Sequence, residues 1–446
     1  MASRRRWILA LALGAFVAAL NPAFAQKPQD CGGRDPGRWL AGCTALIDNA
    51  RTKAPERVRA LKYRGIAHFQ AGSLDGAIAD FTAVIAINPR DAEAYSNRGL
   101  AHQMKRNLDR AIADYDKGLA LDPKAHVIYF NRGNAYAERG DPARAIADYD
   151  RAIGLKPDHA AAHRNRGIER GKRGDLDGAI ADATAAVRFD PRDVDALLNR
   201  GNAFRLKGDL DKAFADYDAA VGLAPRDPGP YVNRAAIRIA RAEFDKAIED
   251  LDSAVAISPG DAEALNNRGA ALSQKGDFAR ALADLDQAVH LMPDNARLRG
   301  NRGFTRFAHG DFKGAAEDFE HFASGAPDKR FAVLWRHLAR ARAGGADRDA
   351  LERDAKALDL TSWPGPLLGF VLDQVTPEAL RAQALSGDTA DRRERRCEVA
   401  FYLGLDQILR GRNEAAKPLI LEAADICPPN TVERTVALGE RGRLLQ

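Results

Sequence analysis

The sequence is poor in the residues that build catalytic and metal centres. Its 446 residues hold four cysteines, three methionines, nine histidines and 7% aromatics. No Gly-x-Ser-x-Gly elbow, His-Glu-x-x-His pair, Walker loop or dinucleotide fingerprint occurs, so no catalytic residue is assigned and no enzyme is expected. There is no CxxC and no close His-Cys set, which argues against a structural metal; neither a metal nor another cofactor is expected. His159 and His163 stand four apart, the spacing of two ligands on one helical face. No acid or cysteine completes a site near them in sequence, and a solvated pair is the expectation.

A large excess of one charge is also missing. The amino terminus reads as an export signal: basic Arg4, Arg5 and Arg6, the apolar run Trp7–Leu20, and Ala23-Phe24-Ala25 with small residues flanking the cleavage point. Removing residues 1–25 takes three arginines and no acid from a formal net charge of +5, leaving +2 and little reason to invoke nucleic acid. The route is secretory or, from Ser3-Arg4-Arg5, twin-arginine. Beyond the leader no segment approaches the roughly 20 apolar residues that span a bilayer. The expectation is a periplasmic or secreted chain starting at Gln26, with no transmembrane anchor and, lacking a cysteine at the cleavage point, no lipid anchor.

An even number of cysteines in an exported chain reads as disulfides. The simplest pairing joins partners near in sequence, Cys31 with Cys43 and Cys397 with Cys427.

Against these absences stands a repeat. Asn-Arg-Gly recurs every 34 residues at Asn97, Asn131, Asn165, Asn199, Asn267 and Asn301, with Asn233-Arg234-Ala235 in the same frame. Tyr63-Arg64-Gly65 is an imperfect first copy, and Pro89, Pro123, Pro157, Pro191, Pro225, Pro259, Pro293 and Pro327 keep the step. A length prior of about three domains gives way to one repetitive array. In 126–159 a first helix (helix A) carries Tyr129, Gly133 and Tyr136 on one face. Gly140-Asp141 ends it and caps the next. A second helix (helix B) presents Ala145, Tyr149 and Ala152, and Pro157 closes it. Alanine is invariant at Ala77, Ala111, Ala145, Ala179, Ala213, Ala247, Ala281 and Ala315, opposite the small residue of helix A. Arg132 with Asp148, Arg166 with Asp182 and Arg200 with Asp216 predict an ion pair inside each repeat.

Residues 58–329 resemble eight tetratricopeptide repeats, whose period is 34 residues. The resemblance implies an all-α fold, an α-solenoid in which antiparallel helix pairs wind into a right-handed superhelix. The chain then divides into signal peptide 1–25, an amino-terminal segment 26–57 with Cys31 and Cys43, the array 58–329, a degenerate helical region 330–396, and a repeat-like hairpin with capping helix 397–446. Helices are expected at 330–342, 347–358 and 376–385, with a break at Trp363-Pro364-Gly365-Pro366. A ninth unit at 397–430, carrying Leu403-Gly404, Ala416, Ala423 and Pro428, has Cys397 opening its first helix and Cys427 ending its second.

In such superhelices the position of Asn97, Asn131, Asn165, Asn199, Asn233, Asn267 and Asn301 faces the concave groove. This resembles the asparagine ladder of O-linked N-acetylglucosamine transferases, although no transferase domain is present. An amide both donates and accepts, so a ladder of amides holds an extended peptide by its backbone. The expected partners are other proteins. The basic first helix of the fourth repeat, with Arg164, Arg170, Lys172 and Arg173, suggests an acidic ligand stretch, set against the commoner solvated face. A carboxylate clamp is not reproduced.

From Leu334-Trp335-Arg336-His337-Leu338-Ala339 through Trp363-Pro364 and Phe401-Tyr402-Leu403-Gly404, the tail resembles the repeat lipoprotein family named new lipoprotein I. That resemblance implies an adaptor in cell-wall or envelope maintenance. The chain departs from the family in lacking the lipid-anchored cysteine and in its longer array. The rival readings are an assembly factor for a secretion or pilus system, an enzyme with its site in 330–396, and a self-associating array.

Overall fold

The computed structural model describes residues 31, 36–325, 328–345, 348–386 and 388–446. The expected signal peptide and mature start lie outside them. Among the described residues there are 24 α-helices and no strand, and no helix is long and apolar enough to cross a membrane. The fold is all-α, of the α-solenoid class. The described residues divide into two compact units, one up to residue 216 and one from 217.

In the first unit α1 (Pro36–Asp48) precedes the pairs α2 (Ala54–Gln70) with α3 (Leu74–Ile87), α4 (Ala92–Met104) with α5 (Leu108–Leu121), α6 (His126–Glu138) with α7 (Pro142–Leu155), and α8 (Ala160–Lys172) with α9 (Leu176–Phe189). Helix α10 (Val194–Leu206) follows, and α11 (Leu210–Leu223) carries the division between the units. Each hairpin is punctuated locally. Gly140, Gly174 and Gly208 take left-handed φ of 82°, 84° and 83°, where a Cβ is costly. Asp141 and Asp175 then cap the next helix, accepting from Arg144 N and Gly178 N. The invariant alanines are fully or nearly fully buried where the helices cross.

The second unit continues with α12 (Pro228–Ala240) and α13 (Phe244–Ile257), α14 (Ala262–Gln274) and α15 (Phe278–Leu291), and α16 (Ala296–His309) and α17 (Phe312–Gly325). Then come α18 (Lys329–Arg342), α19 (Arg348–Ala355), α20 (Gly365–Val371), α21 (Pro377–Ala384), α22 (Thr389–Leu409), α23 (Asn413–Ile426) and α24 (Val432–Leu444). Two boundaries differ from expectation. A short helix begins inside the supposed break at 363–366, because Pro366 sits in its first turn, where a missing N–H costs nothing. Helix α22 starts at Thr389, well ahead of Cys397, since Asp388 accepts from Asp391 N and caps it there.

Both expected cysteine pairs are at disulfide distance, each with Cα atoms 4.8 Å apart. Cys427 is the residue that caps α23, and Cys397 lies within α22.

The segment beyond residue 330 packs on the array rather than apart from it. Trp335, fully buried, stands among Phe304, Phe319, Phe401 and Tyr402, with ring centroids 5.1 to 6.1 Å away. Helix α24 returns to the last turns of α14 and α16, and the turn before it to the last turn of α12. Asn430 Nδ2 donates to Ile239 O at 2.6 Å, Gln274 Nε2 donates to Thr435 Oγ1 at 2.7 Å, and Arg443 Nη1 donates to Ala308 O at 2.7 Å. Gly439 allows this approach, because a Cβ there would lie 2.1 Å from Ala308 O.

Candidate protein-binding face

The seven asparagines sit one on each of α4, α6, α8, α10, α12, α14 and α16, and all are half-buried. In sequence they are equivalent; in the structure they fall into two classes. Asn165 Nδ2 donates to Asn134 Oδ1 and Asn301 Nδ2 donates to Asn266 Oδ1, both at 2.8 Å. Asn267 Oδ1 accepts from Asn266 Nδ2 at 3.2 Å. These three are tied by a second asparagine, Asn134 or Asn266, that most repeats lack at that place. Asn97, Asn131, Asn199 and Asn233 have no hydrogen-bond partner among the described residues, so their amides keep donor and acceptor capacity.

The residue after each asparagine is an arginine that clasps an aspartate of its own repeat. The expected pairs form: Arg132 to Asp148 at 2.7 Å, Arg166 to Asp182 at 2.5 Å and Arg200 to Asp216 at 2.7 Å. Each grips both carboxylate oxygens, the stronger fork-like arrangement. Burial pushes the Asp148 carboxyl up and outweighs the pull of Arg132, whose own pKa is raised by its hydrogen bond to that carboxylate. The clasp thus holds a carboxylate that would be costly unpaired.

A second arm was not anticipated. Arg132, Arg166, Arg234, Arg268 and Arg302 also reach back to Asp116, Asp150, Asp218, Asp252 and Asp286 of the preceding repeat, at 2.5 to 2.9 Å. The signal was present, because those aspartates also recur every 34 residues. Thr184 breaks the series, and no such second arm is formed by Arg200.

Two expectations are overturned by packing. The basic run of α8 is largely neutralised. Arg164 pairs with Asp193 at 2.8 Å, Arg170 with Asp182 at 2.9 Å, and Lys172 with Glu169 at 2.5 Å. Arg173 alone of the four makes no ion pair among the described residues, so the helix presents no free cationic strip. His159 and His163 are not a solvated pair. His159 caps α8 through Ala162 N and stacks on Phe130 and His126, with centroids 4.8 and 5.5 Å away. Burial, with His126 nearby, pushes it down to about 4. His163 is buried, its Nε2 2.9 Å from Pro157 O, and among the described residues no group of three ligating side chains converges.

Tetratricopeptide-repeat models match residues 268–340, 166–228 and 233–296, 92–125 and 126–159, and a further repeat model matches 65–105. Together they cover more than half of the sequence, and the chain is a tetratricopeptide-repeat protein. Similar solved structures include YrrB, described as a protein of this class with an unusual peptide-binding site, at 27% identity and a TM-score of 0.37, covering 42% of this chain and 95% of that one. A tetratricopeptide repeat protein from Parabacteroides merdae shares 21% identity, with a TM-score of 0.44 over 56% of this chain and 98% of its own. The PilF protein of Pseudomonas aeruginosa shares 17%, with a TM-score of 0.44 over 47% and 96%. No curated protein is significantly similar to the chain.

Proposed function

We propose that this chain is an exported, non-enzymatic scaffold that holds extended segments of partner proteins along the asparagines of its A helices. The observation that carries the reading is the set of half-buried amides on Asn97, Asn131 and Asn199, repeated at the helical-pair period and unused by the fold. Stacked repeats of this class present extended binding surfaces for other proteins. Asn165 belongs to the same row but spends its donor on Asn134, so it contributes shape more than binding. Two cysteine pairs at bonding distance fit an oxidising compartment. The resemblance of the tail to new lipoprotein I supports the narrower role of an adaptor in cell-wall or envelope maintenance.

The test is site-specific photo-cross-linking from the surface beside Asn131 in envelope extract, with the mature chain and with Asn97, Asn131 and Asn199 together changed to alanine. Loss of a defined partner from a variant of unchanged helicity supports the reading. Retention of the same partner at the same yield overturns the ladder. A membrane channel or pilot protein as the partner would replace the envelope-maintenance role by an assembly role.

A further inference from the structure

One position of helix B fills the space between the two helices of its own repeat and the first helix of the next. It is Phe81, Tyr115, Tyr149, Leu251, Leu285 and Phe319 in six repeats, and Ala183 in the fourth. The glycine of helix A reports how full that space is. A Cβ added to Gly99 would meet Tyr115 at 2.8 Å, to Gly133 Tyr149 at 2.7 Å, and to Gly269 Leu285 at 2.7 Å. At Gly167 no large side chain is near, only the Asp182 Cβ at 3.1 Å and then backbone.

What remains is a narrow cleft whose alanine lining nearly closes over it, so an occupant has to part that lining to enter. Gly167, Ala179 and Ala183 line it, with Ile168, Leu176 and Ala203 on its sides. Leu206 completes the lining with 56% of its surface exposed, the most exposed large apolar residue of the repeat helices. The polar lining groups are Arg164, neutralised by Asp193, and Asn199, whose amide is unpartnered. Arg200 also makes no second arm beside the cleft, where Thr184 stands in the place of an aspartate.

Resting on the groove reading above, we propose that this cleft is an anchor site for one aliphatic or phenyl side chain of an extended peptide whose backbone is held by Asn199. The array itself shows the occupant. Six other repeats fill the corresponding space with leucine, phenylalanine or tyrosine of their own. Tyrosine is excluded here. The Tyr115 hydroxyl bonds to Gln103 at 2.9 Å and the Tyr149 hydroxyl to Asn134 at 2.8 Å, whereas the fourth repeat has Gly171 and Ile168 at those places. A hydroxyl entering this cleft finds neither partner and is buried unsatisfied. The site therefore selects leucine or phenylalanine over tyrosine, and rejects charge.

The experiment measures binding of the full mature chain to short synthetic peptides, identical except for leucine, phenylalanine, tyrosine or aspartate at one central position. The expected result is about tenfold tighter binding of the leucine and phenylalanine peptides than of the other two. Ala183→Leu fills the cleft with the residue that repeats six and seven already carry, and should abolish that preference while weak binding persists. Asn199→Ala should weaken all four peptides alike. Leu206→Asp, at an exposed position that folding tolerates, should cost the leucine peptide about tenfold even if Ala183→Leu fails to fold. Binding without preference, or a preference that survives Ala183→Leu or Leu206→Asp, overturns the anchor site and leaves the groove standing. Binding of none of the peptides by the wild type overturns both.

Discussion

Two neighbouring repeats, 126–159 and 160–193, share a period, an aspartate cap on the second helix and an arginine clasp, yet differ in what occupies the space between their helices. The third is filled by Tyr149, its hydroxyl bonded to Asn134, and is tied backward by Arg132 to Asp116. The fourth has Ala183 in that place, with Thr184 beside it where the forward tie would attach. Regular spacing fixes the backbone of a repeat without fixing its interior. Function has room where a repeat omits a wedge that its neighbours keep.

The contrast is easiest to break from the third repeat. Tyr149→Ala should open a second cleft and cost about 3–5 kcal/mol, the range for deleting a buried aromatic. Urea denaturation would show it, and a loss below about 1 kcal/mol would mean that the helices simply close up. Rebuilding the third repeat inside the fourth is the next largest test. Ala183→Tyr alone buries an unpaired hydroxyl, and adding Ile168→Asn supplies its acceptor. The double variant should be more stable than the single one by about 1–3 kcal/mol, read as a double-mutant cycle. Ala183→Leu should raise stability by about 0.5–2 kcal/mol as a cavity filler, seen as a higher denaturation midpoint. If instead it destabilises the chain, the cleft is already closed to a leucine. Smallest is Thr184→Asp, which restores the missing aspartate. It should add about 0–1 kcal/mol, because its equivalents Asp116 and Asp150 are half exposed, and the gain should shrink in high salt.

Much of this architecture is legible in the sequence. The proline and alanine columns, the glycine turns and the intra-repeat pair Arg132–Asp148 all follow from local spacing, and the cysteine pairs from proximity. The candidate site was legible only in part. All seven asparagines are visible as a row, but which amides are free depends on Asn134 and Asn266, whose reach is set by stacking. The cleft has a signal, the lone alanine in a column of tyrosine, leucine and phenylalanine, but a small residue in a column does not show how far its neighbours close over the space. The neutral face of α8 could not be read, since Arg164 finds Asp193 across a repeat junction. Helix α20 was obscured because a Pro-Gly-Pro run reads as a break even where a proline sits harmlessly in a first turn. The return of α24 to α14 and α16, and of Asn430 to α12, joins residues far apart in sequence, and no local pattern encodes it.

Each unit, taken by itself, is expected to unfold in its own way. In the unit up to residue 216 each repeat is held by its neighbours along the chain, the arrangement in which unfolding creeps inward from an end, one hairpin at a time. In residues 217–446 the bond from Asn430 to Ile239 ties the turn before the last helix to the sixth repeat, and those from Arg443 to Ala308 and Phe307 tie that helix to the eighth. A loop closed in this way has no loose carboxyl end to fray, and its amides are expected to exchange with solvent together, in one cooperative opening, while those of the first unit exchange in a gradient.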